Sequence, residues 1–253
     1  MLLVERTGAG APVILVHGFL GSAGMWAPVV SHLARSFDVI AIDLPGFGRD
    51  TAQTAPDRIE DFARVVIDTV DGLKLGRFHM IGHSMGGMIA QQIALECGSR
   101  LMRLVLYGTA GSGRLPLRFE SIAVTIARMR TEGVRTVGRG IVRSWFTAGE
   151  MATGFAPCAA DVCDVTLDTA VAALTAIDRW DLRSSLDKLT MPCLVIGGDA
   201  DRSTPPEELL GLYRSLPRAE LCVLPHRAHA AHLESVDLFN SVVGQFLMTA
   251  DPS

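Results

Sequence analysis

Phe78-His79-Met80-Ile81-Gly82-His83-Ser84-Met85-Gly86-Gly87 runs directly into Met88-Ile89-Ala90-Gln91-Gln92-Ile93-Ala94-Leu95. An apolar run of strand length meets a helical pattern, and Ser84 stands at the junction between two glycines. A turn this tight strains the backbone of its central residue and leaves no room for side chains two positions either side. Strand, Gly-x-Ser-x-Gly and helix together form the elbow that holds a nucleophilic hydroxyl above a sheet edge. The helix N-terminus is then aimed at the reacting oxygen. A purely structural turn serine is the competing reading, and the strand before and helix after weigh against it.

Outward from this junction, strand-length apolar runs alternate with helical patterns. Strands are expected at 12–17, 39–43, 77–82, 101–107, 192–197 and 219–224, and helices at 26–35, 59–73, 85–97, 206–215 and 236–247. In the helix at 59–73, apolar residues recur at 62, 63, 66, 67, 70 and 73. Strands that are apolar throughout, each followed by a helix, indicate a parallel sheet covered on both faces. Right-handed crossovers make it an α/β, doubly wound, mostly parallel sheet, with functional groups at the carboxyl ends of the strands. His17, Asp43, Ser84 and the 197–201 loop fall at such ends. The alternation breaks at 113–180, where only helical patterns occur. This predicts a core domain of residues 1–112 and 181–253 with a helical lid inserted at 113–180.

The chain has 253 residues, 49% hydrophobic and 20% charged, which suits one large buried core. A net charge of −4 argues against a nucleic-acid surface and a polybasic membrane anchor. No apolar run approaches the ~20 residues of a membrane span. The N-terminal residues carry no signal-peptide pattern. Cysteines at 97, 158, 163, 193 and 222 are odd in number and scattered, so a reduced, cytoplasmic setting is expected. Cys158 and Cys163 are spaced to face one another, but no Cys/His spacing supports zinc.

A serine needs a base within reach and an acid to orient that base. After the strand at 192–197 comes Gly198-Asp199-Ala200-Asp201-Arg202-Ser203-Thr204-Pro205. Asp201, leading into the turn before Pro205, is the expected acid, and Asp199 competes as a loop-capping residue. After the strand at 219–224 comes Pro225-His226-Arg227-Ala228-His229-Ala230-Ala231-His232. His229, at the apex of this loop, is the expected base. His226 at the strand end and His232 at the start of the last helix remain alternatives. A three-histidine metal site competes, and the paired serine and acid motifs disfavour it. Two backbone N–H donors are needed for an oxyanion, and Met85 and Phe19 are the expected sources. His17 is read as a bridge between loops, His79 as a buried strand residue, His83 as lining the pocket or supporting the elbow, and Trp145 and Trp180 as pocket residues.

Taken together, His17-Gly18-Phe19, Asp43-Leu44-Pro45-Gly46-Phe47-Gly48, the Ser84 elbow, Gly198 to Asp201 with Pro205, and His229 with His232-Leu233-Glu234 resemble the α/β-hydrolase fold superfamily nearly end to end. The resemblance implies a triad of Ser84, Asp201 and His229, oxyanion donors at Phe19 and Met85, and no cofactor. The segments 172–181 and 191–206 look like the 3-oxoadipate enol-lactonase branch. It further implies a serine hydrolase acting on a small-molecule ester or lactone, with no nucleic-acid or membrane partner. Carbon–carbon hydrolysis of ring-cleavage products, or a catalytically silent ligand receptor, are the alternatives. The lid holds seven arginines between 114 and 143, and its later half turns acidic. Two expectations compete: the halves pair with each other, or at least one of Arg114, Arg118, Arg128 and Arg135 turns inward toward Ser84 to meet a substrate carboxylate.

Overall fold

The structure is a computed structural model that describes residues 1–249. Its core alternates β1 (Val4–Gly8), β2 (Ala11–Val16), α1 (Ala27–Leu33), β3 (Phe37–Ile42), α2 (Ile59–Gly72), β4 (Phe78–His83), α3 (Met85–Cys97) and β5 (Leu101–Tyr107). Four helices follow: α4 (Ile122–Glu132), α5 (Val134–Ser144), α6 (Phe155–Asp161) and α7 (Leu167–Arg179). The core then resumes with β6 (Cys193–Gly198), α8 (Pro206–Ser215), β7 (Ala219–Leu224), α9 (Ala231–Glu234) and α10 (Val236–Met248). The sheet order is β1-β3-β2-β4-β5-β6-β7, and every neighbouring pair is parallel except β1 with β3.

Burial explains which strands were readable. β3, β4 and β6 are buried at every residue, as the centre of a sheet covered on both faces requires. β1 was not anticipated. It is an edge strand, exposed from Glu5 to Gly8, so no apolar pattern marks it. Its antiparallel pairing with β3 supplies the backbone partners that its side chains do not advertise. α2 buries Ile59, Phe62, Ala63, Val66 and Val70, with Ile67 and Leu73 packed at the margin, which is the face its periodicity indicated. α1 packs against α10, and α2 against α3.

The helical segment leaves the core at a narrow neck. Ser112 and Asp181 form an isolated antiparallel bridge, and the Leu182 N–H donates to the Gly111 carbonyl at 2.8 Å. Trp180 Nε1 donates to Gln92 Oε1 at 3.2 Å, and Arg179 pairs with Asp57, fastening this end of the segment to the core. Within the segment, Arg114 pairs with Asp178 and Arg139 with Glu150, so its basic and acidic halves do meet. Arg128 instead pairs with Glu120 and Glu132 in its own half. All five cysteines are free, and the Cys163 thiol donates to the Ala159 carbonyl instead of meeting Cys158. Among the described residues, no helix is long and apolar enough to cross a membrane.

Glycines at the elbow are held by backbone, not by side chains that can yield. A Cβ on Gly86 would lie 2.3 Å from the Val16 carbonyl oxygen, and one on Gly82 2.3 Å from the Gly86 oxygen. Gly211, inside α8, has nothing within 4 Å of such an atom. Gly86→Ala is therefore expected to lower stability by about 3 kcal/mol or more. Gly211→Ala is expected to raise it by roughly 0.5–1 kcal/mol. Urea unfolding of the two variants checks both signs.

Candidate active site

Ser84 adopts φ 55° and ψ −118°, a left-handed conformation that costs a side-chain-bearing residue roughly 1–3 kcal/mol. Neighbouring bonds hold it there. Its N–H donates to the Tyr107 carbonyl at 2.8 Å, and its own carbonyl receives Thr109 Oγ1 at 2.8 Å and the Gly87 N–H at 2.9 Å. The loop after β2 comes so close that a Cβ on Gly18 would sit 2.9 Å from the Ser84 Cβ. Met85 opens α3, so its N–H has no acceptor within the helix.

Buried polar groups fix the loop that carries Phe19. The Leu44 N–H donates to His17 Nε2 at 3.0 Å, so the His17 proton sits on Nδ1, which donates to the Gly18 carbonyl at 2.8 Å. His17 thus bridges two loops. Asp43 accepts from the Ala23 N–H at 2.7 Å and from Arg49 Nε at 2.6 Å. Leu20, next along the loop, has φ 63°.

His229 Nδ1 lies 2.6 Å from Asp201 Oδ2, and both residues are almost fully buried. The other Asp201 oxygen accepts from the N–H groups of Ser203 and Thr204 at 2.8 and 3.0 Å. With one oxygen taken by two backbone donors, Asp201 presents the other to the Nδ1 proton of His229, which leaves Nε2 as the free ring nitrogen. The competing residues go elsewhere. Asp199 accepts from the Arg227 N–H at 3.3 Å, a loop contact. His226 is exposed with φ 56°. His232 is buried, its Nε2 donating to the Met25 carbonyl at 3.2 Å.

Two further groups support the His229 loop from below. The His229 carbonyl receives the Tyr107 hydroxyl at 2.7 Å and His83 Nε2 at 3.1 Å. The Tyr107 oxygen also accepts the His232 N–H at 3.1 Å and lies 3.0 Å from His232 Nδ1. Burial, and then the neighbouring His229, hold the His83 pKa well below the usual histidine range. Burial likewise brings His232 down to about 3. Both rings are therefore neutral structural parts. Tyr107 was not singled out from sequence, and its only signal is a hydroxyl at the carboxyl end of β5.

Ser84 and His229 line one cavity of about 30 Å³, together with the side chains of Phe19, Met85 and Trp145. His83 and Trp180, expected in the pocket, do not line it. His83 lies beneath the His229 loop, and Trp180 is tied to Gln92. Arg118 does line it, while Arg114 and Arg128 are engaged in ion pairs and Arg135 is exposed. The Arg118 Nε is out of solvent contact and has no hydrogen-bond partner. Ligand sites usually measure about 300–1,000 Å³, so the helical segment leaves little free space above Ser84 in this structure.

The neutral histidines carry a pH signature. An unfolded histidine binds a proton below pH ~6.5, whereas folded His232 does so only near 3. Between those values unfolding takes up a proton, so stability falls as pH falls, by roughly 1.4 kcal/mol per pH unit for each such residue. His83, and His17 by burial, act in the same direction. Urea unfolding between pH 7 and 5 should show steep loss of stability, and His232→Gln should flatten that slope by close to one proton.

A family model described as "Alpha/beta hydrolase family" matches residues 13–242. A protein of Agrobacterium fabrum named for carbamate hydrolysis (RutD) is 32% identical over 97% of each chain. A Cupriavidus pinatubonensis protein named 2-hydroxy-6-oxononadienedioate/2-hydroxy-6-oxononatrienedioate hydrolase is 30% identical, covering 95% of this chain and 88% of its own. Among solved structures, the enol-lactonase of Burkholderia xenovorans LB400 superposes with a TM-score of 0.90 at 27% identity, over 98% of this chain and 96% of that one. With this match, the elbow and the mostly parallel sheet, the chain belongs to the α/β-hydrolase family and is a hydrolytic enzyme.

Proposed function

We propose that this enzyme hydrolyses a small ester or lactone whose acyl part carries a carboxylate, through an acyl-enzyme on Ser84. Ser84 Oγ attacks the carbonyl carbon while His229 Nε2 takes its proton. Asp201 holds the His229 tautomer and stabilises the cation that forms. The N–H groups of Phe19 and Met85 receive the oxyanion. Collapse of the tetrahedral intermediate breaks the bond to the leaving oxygen, which takes the proton from His229. Water, deprotonated by His229, then attacks the acyl carbon and releases the acid and Ser84.

The observation that carries the substrate class is Arg118. A guanidinium whose Nε is buried without a partner, beside Ser84 and His229, is costly unless a ligand completes it. Burial lowers its pKa, opposed by the Asp201 and Glu120 carboxylates, yet an arginine remains charged. A carboxylate is the group its planar fork fits best, and water exclusion strengthens the pair. The structural likeness to an enol-lactonase supports the lactone reading. The Cupriavidus relative, whose named substrates are dioates, supports a second reading, carbon–carbon hydrolysis of a 6-oxo dienedioate, with the same arginine on a carboxylate.

Ser84→Ala should lower turnover by on the order of 10³-fold or more with the fold intact. A serine-directed phosphonate should label the wild type once and the variant not at all. Near-wild-type turnover in the variant rules out Ser84 as the nucleophile. Arg118→Gln should cost about 100-fold in kcat/KM on a carboxylate-bearing lactone, the worth of a charged hydrogen-bond pair. On a neutral ester of the same size it should change little. An equal loss on both substrates removes the anionic reading.

A further inference from the structure

We infer that Glu234 is a positioning residue that couples closure of the helical segment to the placement of His229. The inference rests on His229 acting as the base of the proposed mechanism. His229 sits between Ala228 and Ala230, whose backbone N–H bonds both lead to residues 145–147. The Ala230 N–H donates directly to the Trp145 carbonyl at 2.9 Å. The Ala228 N–H donates to Glu234 Oε2 at 2.7 Å. The other Glu234 oxygen receives both the Thr147 N–H and the Thr147 hydroxyl, each at 2.6 Å.

Glu234 stands in the short helix α9, six residues beyond Ala228. A carboxylate that only capped the 228–234 turn would need one oxygen. Here the second oxygen reaches 87 residues back along the chain, to the segment that closes the cavity. That segment follows α5 immediately, and α5 lends Ile141 to the cavity wall beside Trp145. The Trp145 ring lies 6.0 Å from the His229 ring. Whatever displaces α5 to admit a substrate therefore pulls on the Trp145 carbonyl and on Thr147 together. On the core side the His229 carbonyl stays pinned by Tyr107 and His83. The loop is thus fixed at its carbonyl and released at both flanking N–H groups when the segment lifts. Closure over a substrate restores both bonds and returns the ring to its place opposite Ser84. The base is fully set only when water has been excluded.

The test uses the full chain with three variants. Glu234→Gln keeps size and one acceptor, but cannot accept at both ends. Thr147→Val removes one of the two bonds from the segment. Arg179→Gln cuts the ion pair to Asp57, a fastening far from the His229 loop in sequence, and serves as the control. Turnover of a short chromogenic ester is read beside thermal unfolding and the low-field proton resonance of His229 Nδ1–H, which reports the Asp201 contact without any turnover. Glu234→Gln should lower kcat by about 10- to 100-fold, the effect of a misplacement of around 1 Å, with KM changed less than about 3-fold. Its low-field resonance should shift or broaden. Thr147→Val should act in the same direction but less, and the double variant should be no worse than Glu234→Gln alone. Arg179→Gln should leave kcat and the resonance unchanged. An unaltered kcat and resonance in Glu234→Gln, even with a lower unfolding temperature, reduces Glu234 to a structural staple and overturns the inference. An equal loss in Arg179→Gln assigns the effect to general loosening and overturns it too. Survival of turnover in Ser84→Ala, with the Glu234 resonance shift intact, would sink the mechanism and not the coupling.

Discussion

The passage from β4 into α3 leaves no space for a side chain two positions before or after Ser84, and most of the site follows from that. Gly82 and Gly86 lie against backbone oxygens, so neither neighbour can relax. The chain turns with Ser84 at positive φ, and bonds from Tyr107, Thr109 and Gly87 pin it there. The sheet centre then dictates what surrounds the serine. β2 and β5 flank β4, so the loops after them, carrying Phe19 and Gly108, come within contact. Gly108, at φ 53°, lets the chain pass so near His229 that a Cβ there would sit 3.3 Å from its Nδ1.

Around this strained turn the protein concentrates polar groups that it must satisfy without water. His17, His83 and His232 are buried and neutral, each with its proton directed at a carbonyl. Only His229 faces a carboxylate, and Asp201 is itself held by two backbone donors. The same burial that keeps three rings uncharged also keeps water from the hydrogen bond between His229 and Asp201. Specificity of role among four histidines is thus a matter of which acceptor each meets.

The helical segment adds a second layer. It supplies Trp145, Ile141 and Arg118 to the cavity roof and is linked to the backbone on both sides of His229, directly from Trp145 to Ala230 and from Thr147 by way of Glu234 to Ala228. Roof and His229 loop are therefore joined by hydrogen bonds, although Thr147 and Glu234 lie 87 residues apart. In the roof of this cavity of about 30 Å³ the Arg118 Nε is buried with no hydrogen-bond partner, and a carboxylate is the natural complement of a guanidinium.

Sequence alone determines the elements whose side chains report their surroundings. The buried strands, the apolar face of α2 and the glycine-flanked serine were all readable, because burial on both faces and steric exclusion leave local traces. β1 was not, since an exposed edge strand is held by backbone bonds to β3 that no side chain encodes. The loops at 199–201 and 226–232 offered two aspartates and three histidines of equal chemistry. Their places in the loops single out Asp201 and His229, and β6 beside β7 brings these two into contact while Asp199 meets Arg227. His83 and Trp180, adjacent to the cavity in sequence terms, are turned away from it by Tyr107 and Gln92 packing. Helical spacing placed several arginines on one face, but their directions depend on which carboxylates lie opposite. Arg114 and Arg128 find them, and Arg118 does not. Long-range contacts of this kind carry no local periodicity, so tertiary structure is the first level at which they exist.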